Sequence, residues 1–270
     1  MPEMDKAAEL NRRAREAHPS EPMLDIDVEG LEACARGEAA RPPSPYRGAI
    51  NPPSVLRGAT GKRVLCLASG GGQQSAFFGI LGARVTVLDI ANSQLEQDRI
   101  AARHYGYPVK TVRGDMRDLS CFDDASFDHV DMGLAIYAVP EVRPVYGEIA
   151  RVLGPGGTCR VEHMNPATMP IQPESWDGAA YRISGRYRGG PHPPEKPYAY
   201  NFRHLFTDIF NGLVEAGMAI AGVWESPDHL DGEIHGEPGT HEHLNCIVQC
   251  NFAVVARKEG PGPSDGRDAR

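Results

Sequence analysis

Three consecutive glycines, Gly70 to Gly72, follow a short apolar run that ends at Leu67, and an acid, Asp89, closes the next run, Val85 to Leu88. Short apolar runs bounded by turn residues are the pattern of buried strands. Glycines placed after a strand let the backbone turn at positive φ and let a ligand approach without a Cβ in the way. A helix beginning there offers unpaired N–H groups to a polar or anionic ligand. Ser75 to Leu81 can supply that helix, with Ala76, Phe77, Ile80 and Leu81 on its apolar side. Asp89 stands 17 residues beyond Gly72, where a carboxylate can accept both hydroxyls of a ribose. Strand, glycine turn, helix, strand and acid make half of a nucleotide-binding α/β unit. The ligand implied is an adenosine cofactor; the plainer alternative is a tight turn with no ligand.

The spacing leaves the kind of cofactor open. A dinucleotide turn would carry a third glycine where this chain has Ser75. The stretch Arg63-Val64-Leu65-Cys66-Leu67-Ala68-Ser69-Gly70-Gly71-Gly72-Gln73-Gln74 resembles motif I of the class I S-adenosylmethionine-dependent methyltransferases, most closely a bacterial subgroup that reads LASGGGQQ there. Gly114-Asp115-Met116-Arg117, the run opened by Ser126-Phe127-Asp128, Tyr137-Ala138-Val139-Pro140-Glu141-Val142 and Glu148 to Gly157 resemble later blocks of that family in the same order. Two departures stand out: Cys66 fills a strand position where the family often has an acid, and Ala68 replaces a glycine. The resemblance implies S-adenosylmethionine as cofactor. It implies contacts from Ala68, Ser69, Gly70, Gly72 and Gln73, from Asp89, Ile90 and Gln94, from Gly114, Asp115 and Met116, and from Gly133 and Leu134. In that family the acid at Asp115 meets the adenine amino group.

The fold implied is α/β: a Rossmann-like, seven-stranded methyltransferase sheet with helices on both faces, an N-terminal helical arm and an insertion after strand five. Strands are expected at 63–67, 84–88, 109–112, 128–133, 158–163, 219–226 and 250–257, and core helices at 73–82, 92–105, 141–153 and 206–216. Residues 1–57 read as the arm, with helices at 4–17 and 28–37 and a stiff proline-rich connector. By the resemblance this arm is a lid that brings Tyr46 toward the site; a plain surface arm is the alternative. Residues 58–258 read as the methyltransferase domain. Within it 164–200 is an aromatic, proline-rich stretch too long for an ordinary connection, and 228–246 is a polar loop. Residues 259–270 read as a disordered tail. Asp131, an acid inside an apolar run, is either paired with a neighbour or turned toward the cofactor.

Composition narrows the setting. A chain of 270 residues with 41% hydrophobic content can bury one substantial core. A net charge of −8 without a basic cluster argues against nucleic acid. Six cysteines without framework spacing, no signal peptide and no long apolar span point to a cytoplasmic protein off the membrane. The oligomeric state is left open. His241, His243, Cys246 and Cys250 match no zinc module closely, so no metal is expected and the loop reads as exposed.

Methyl transfer from a sulfonium needs an aligned nucleophile, and a proton acceptor where the nucleophile carries a proton. Alignment alone is worth effective molarities of about 10⁵ M or more. His163 ends the fifth strand, where ligand chemistry collects in open α/β sheets. His204 follows the insertion, in a stretch resembling a short block of the subgroup, and Tyr137 follows the fourth strand. Histidine ordinarily titrates near neutrality, so both histidines are candidate bases or orienting groups, beside a purely structural reading of each. Trp176, Tyr181 and Tyr200 of the insertion, with Tyr46, are the candidate acceptor-binding residues. The expected reaction moves a methyl group to an O or N atom of a small molecule such as a secondary metabolite. The alternatives are an NAD(P)-dependent oxidoreductase and a cofactor-binding protein without turnover.

Overall fold

A computed structural model describes residues 2–39, 50–69, 71–187, 189–192, 201–225, 234 and 236–260. Two helices open the chain, α1 (Pro2–Ala17) and α2 (Val28–Arg36). The alternating core follows: β1 (Arg63–Leu67), α3 (Gln74–Ile80), β2 (Arg84–Asp89), α4 (Asn92–Tyr105), β3 (Val109–Arg113), β4 (Phe127–Met132), α5 (Arg143–Val152) and β5 (Leu153–Met164). After a lobe containing the short strands β6 (Gly190–His192) and β7 (Asn201–Arg203) come α6 (Phe206–Glu215), β8 (Met218–Glu225), α7 (His241–Ile247) and β9 (Asn251–Lys258).

Seven strands form one sheet in the order β3-β2-β1-β4-β5-β9-β8. The first five are parallel, and β9 runs antiparallel to both β5 and β8. Parallel strands covered on both faces read as near-continuous apolar runs, and Val64, Leu65, Cys66 and Leu67 are all buried. Val64 and Cys66 pack with Phe77 and Phe78 of α3, Leu95 of α4 and Leu31 of α2. Leu65 and Leu67 face the other way, into a cluster with Tyr146 and Ile149 of α5 and Ile209 and Leu213 of α6. Each buried Leu or Phe contributes roughly 1.5–3 kcal/mol, so the two clusters clamp the sheet from both sides.

Three boundaries differ from the sequence expectation. β5 begins at Leu153, directly at the end of α5, because Leu153 already pairs with Phe127 of β4. The expected polar loop contains α7, whose Thr240 hydroxyl accepts a bond from the His243 N–H. That bond satisfies one of the donors every helix start leaves over. The insertion also carries β6, which pairs with β7 just beyond its expected end, and a bridge between Ile171 and Ile183.

Asp131 is wholly buried and paired. Arg160 Nη1 reaches its Oδ1 at 3.2 Å, and His129 Nε2 lies 3.6 Å from Oδ2. Arg160 goes on to Glu162 at 3.2 Å and donates from Nε to the Asn51 carbonyl at 2.8 Å. A buried charge needs such partners, since desolvation otherwise outweighs attraction. Among the described residues no helix is long and apolar enough to cross a membrane, and no three His, Cys, Asp or Glu side chains come together as metal ligands.

Candidate functional site

The glycine turn sits at the carboxyl end of β1 and is held from three sides. Ala68, at φ 49°, donates its N–H to the Leu88 carbonyl of β2 at 2.8 Å. Gly71 and Gly72 have φ of 99° and 87°, a region side chains avoid. A Cβ on Gly72 would lie 3.0 Å from the Gln97 carbonyl, so only glycine lets the turn rest on α4. Gly72 N–H and the Ser75 hydroxyl both donate to Asp98 Oδ1, at 2.9 and 2.5 Å. Burial pushes the Asp98 carboxyl up to about 7.

Two buried polar groups beside the turn, Ser69 Oγ and Gln74 Oε1, have no partner among the described residues. A cofactor with an amino-acid end brings both a carboxylate for a hydroxyl and an ammonium for a carbonyl, so these residues fit it. Gln74 also lies against Gly133, beyond the end of β4, where a Cβ would come 2.7 Å from the amide nitrogen. Gly70 lies outside the described residues.

Asp89 ends β2 and is nearly fully buried. Its Oδ1 accepts the Ala91 N–H at 2.9 Å, and burial raises its carboxyl to about 6. Ile90 follows, and its carbonyl meets Arg113 Nε at 3.4 Å. Gln94 is buried in the first turn of α4 and bonds Ser20, by Oε1 to its N–H at 2.8 Å and by Nε2 to its hydroxyl at 3.3 Å. Gly114 donates its N–H to the Asp89 carbonyl at 3.0 Å, and a Cβ there would touch Leu88 at 3.0 Å. Asp115 is gripped by Arg117, whose Nε and Nη2 meet its two oxygens at 2.9 and 2.5 Å. Met116 packs on the core at that corner, and Leu134, just past β4, is partly buried.

The arm reaches this end of the sheet through α1. Glu16 accepts the backbone N–H groups of Asn92 and Ser93 at 2.9 and 3.1 Å, capping α4 from outside. On the opposite side Asn11 donates to the Ala138 carbonyl at 3.0 Å, and Arg15 Nη2 donates to the Tyr137 hydroxyl at 3.0 Å. α1 therefore bridges the end of β2 and the segment after β4. Tyr46 lies outside the described residues, so the arm's described contacts come from α1.

The two histidines lie close together behind the end of the sheet. His163 is fully buried, 3.3 Å by Nε2 from the Tyr146 hydroxyl and stacked on Phe252 at 5.4 Å. Burial, with His204 nearby, drives it down to about 3, so it is neutral at physiological pH rather than poised near neutrality. Its Nδ1 has no partner among the described residues. His204 Nε2 meets the Val139 carbonyl at 2.8 Å, and burial lowers its basicity as well.

The lobe after β5 is anchored by Asn165, which donates its backbone N–H to the Cys250 carbonyl and its side-chain amide to the Gln249 carbonyl, both at 2.7 Å. Trp176 lies 4.9 Å from the rings of both Tyr181 and His243, and the Tyr181 hydroxyl meets His243 Nδ1 at 2.5 Å. Tyr200 lies outside the described residues.

Arg15, Glu16 and Asp98 were not singled out by sequence, and His243 was weighed there only as a metal ligand. Asp98 was detectable: the buried stripe of α4 is Gln94, Leu95, Asp98, Ala101 and Ala102, and an acid at helical spacing within such a stripe must be buried.

Comparison with known proteins agrees with this geometry. A family profile described as a methyltransferase domain matches residues 65–161. The uncharacterized methyltransferase YbaJ of Bacillus subtilis is 36% identical over 187 residues, covering 65% of this chain and 73% of that protein. A demethylmenaquinone methyltransferase of Clavibacter sepedonicus is 34% identical over 119 residues, 43% of this chain and 47% of that protein. The crystal structure of an S-adenosylmethionine-dependent methyltransferase from Mesorhizobium loti shares the fold, with a TM-score of 0.63 at 22% identity over 84% of this chain and 100% of that one. The oxidoreductase alternative is not favoured. With the glycine turn and the antiparallel β9 in place beside these relatives, the chain belongs to the class I S-adenosylmethionine-dependent methyltransferases, and S-adenosylmethionine is its cofactor.

Proposed function

We propose that the protein methylates an O or N atom of a small molecule, a secondary metabolite among the candidates, held between the cofactor and the lobe after β5. The observation that carries this reading is the aromatic cluster of Trp176, Tyr181 and His243, anchored where β5 ends and β9 begins. In open α/β sheets ligands collect at the carboxyl ends of the parallel strands. Aromatic walls favour a flat or apolar acceptor by excluding water from it.

The cofactor supplies a methyl group already activated on a sulfonium. Ser69 and Gln74 hold its amino-acid end and Asp89 its ribose. Gly114 and Met116 border the adenine. Asp115 reaches the adenine amino group with lone pairs that Arg117 leaves over, since a carboxylate has about four acceptor positions. Ala68, Gly70, Gly72, Gln73, Ile90, Gln94, Gly133 and Leu134 complete the cofactor wall. Tyr137, tied to Arg15, closes the site from the arm's side. His204 orients the acceptor or takes its proton. His163 is neutral, and bonded to Tyr146 and stacked on Phe252 it supports that end of the sheet by packing. Tyr46 and Tyr200, outside the described residues, stay candidates for the acceptor side on sequence grounds alone.

Incubating the protein with methyl-labelled cofactor and a library of phenols, hydroxyacids and amines tests the reading. Label should pass to members of that library. Transfer only to protein or nucleic acid would reject the small-molecule assignment. S-adenosylhomocysteine bound without transfer to any acceptor would favour a protein without turnover.

A further inference from the structure

We propose that Asp98 is a positioning residue for cofactor binding, its carboxylate fixing the glycine turn in the shape that receives S-adenosylmethionine. The inference rests on the assignment of that turn to the cofactor. Asp98 comes from α4, outside every stretch that marks the cofactor site in the sequence.

One atom, Oδ1, takes both donors, the Gly72 N–H and the Ser75 hydroxyl. One donor stands in the connection between β1 and α3 and the other in the first turn of α3. Glycine at a φ of 87° is held by nothing of its own, since it lacks the side chain that restricts other residues. An acceptor on a rigid helix replaces that missing restraint. The contact is tight as well as polar: a Cβ on Gly72 would meet the Gln97 carbonyl at 3.0 Å and Ala101 Cβ at 3.1 Å. Tyr107 adds a hydroxyl 3.2 Å from Ser75 Oγ.

The position also makes chemical sense only with a job to do. Asp98 is 1% exposed, in a stripe where an apolar residue would pack without penalty. Burial and the charge of Asp89 on β2 both disfavour its ionised form, and Arg99 on its own helix offsets them only in part. An acid in that company weakens the core unless its hydrogen bonds hold something that matters. What they hold is the turn flanked by Ser69 Oγ and Gln74 Oε1, two buried atoms without a partner among the described residues, as is the second oxygen of Asp98, Oδ2.

Calorimetric titration of S-adenosylhomocysteine into folded variants, with Tm measured on the same samples, tests this. Asp98→Ala should raise Kd about tenfold or more, because two buried donors lose their acceptor. Asp98→Asn keeps an oxygen in place and should stay within about threefold of wild type. Ser75→Ala should raise Kd about two- to threefold alone and add nothing to Asp98→Ala, the signature of a shared contact. An Asp98→Ala protein with lowered Tm but unchanged Kd makes the residue merely structural and overturns the proposal. Equal losses in Asp98→Ala and Asp98→Asn overturn it too. Should Asp98→Ala fail to fold, Ser75→Ala decides, and an unchanged Kd there overturns it. Wild-type protein that takes up no S-adenosylhomocysteine removes the cofactor assignment itself, and this inference with it.

Discussion

Arg15 and Tyr137 join across 122 residues of sequence, the guanidinium donating to the phenol oxygen at 3.0 Å. The bond helps fix a helix that is also held by Glu16 on the start of α4 and by Asn11 on the Ala138 carbonyl. A hydrogen bond from a charged group at an exposed site is worth about 1 kcal/mol net. Arg15→Ala should therefore raise local opening of α1 about fivefold. Hydrogen exchange of residues 6–17 should quicken by that factor, and S-adenosylhomocysteine should dissociate faster. Unchanged exchange would mean that Glu16 and Asn11 hold the arm without help.

Asp89→Ala should weaken S-adenosylhomocysteine binding by about 1.5–3 kcal/mol, the range for hydrogen bonds to a charged group. It also deprives the Ala91 N–H of its acceptor, so some loss of Tm should accompany it. Calorimetry giving wild-type affinity would remove Asp89 from the ribose site.

Two buried acids and the buried His163 should shape the pH dependence of stability. Burial raises Asp89 to about 6 and Asp98 to about 7 from an ordinary 3.8. At these two sites the folded chain holds protons that the unfolded chain has released, so their share of stability falls as pH rises from about 4 to about 7, while His163, held down to about 3 by burial, acts in the opposite sense, its share rising with pH from about 3 to about 6.5. For Asp98 the upper limit is roughly 4 kcal/mol, at about 1.4 kcal/mol for each pH unit. Asp128, held low mainly by its bonds to Arg63, acts in the opposite sense, its share being lost below about pH 4. Scans of Tm against pH should show Asp98→Asn gaining on wild type as pH rises from about 4 to about 7, since the variant carries no acid to ionise there. A Tm difference between the two that stays constant over that range would contradict the burial argument.

How much of this was legible in the sequence depended on whether the signal was local. The glycine turn, Asp89 and the seven strands announce themselves within a few residues, because strand burial and turn conformation are set there. His163 looked poised for proton transfer because its strand ends at the right edge. Its protonation is set instead by Tyr146, Phe252 and His204, which come from distant parts of the chain. The arm's grip was illegible for the same reason. Nothing near Glu16 says that the amino end of α4 lies beside it. α7 hid in a polar run, since a helix of seven residues with two buried positions leaves little periodicity to read.

Trp176→Ala should raise the acceptor KM about tenfold while leaving S-adenosylhomocysteine affinity within about twofold, since a lost wall removes binding in ground and transition states alike. His204→Ala should lower kcat. His163→Ala should lower Tm yet leave the shape of the pH–rate profile between about pH 6 and pH 9 intact, because a group that titrates at about 3 contributes no limb there. A neutral limb lost in His163→Ala would restore it as the base.

The place of β9 constrains how the sheet can be assembled. β9 follows β8 in the chain yet lies between β8 and β5, so β8 has nothing to pair with until its successor arrives. The two strands must therefore enter as an antiparallel unit, or β9 must dock first and recruit β8 onto its free side. Until then β5 presents an open edge, the template on which chains aggregate. Refolding yield, more than final stability, should be the quantity most sensitive to substitutions along the β5–β9 seam.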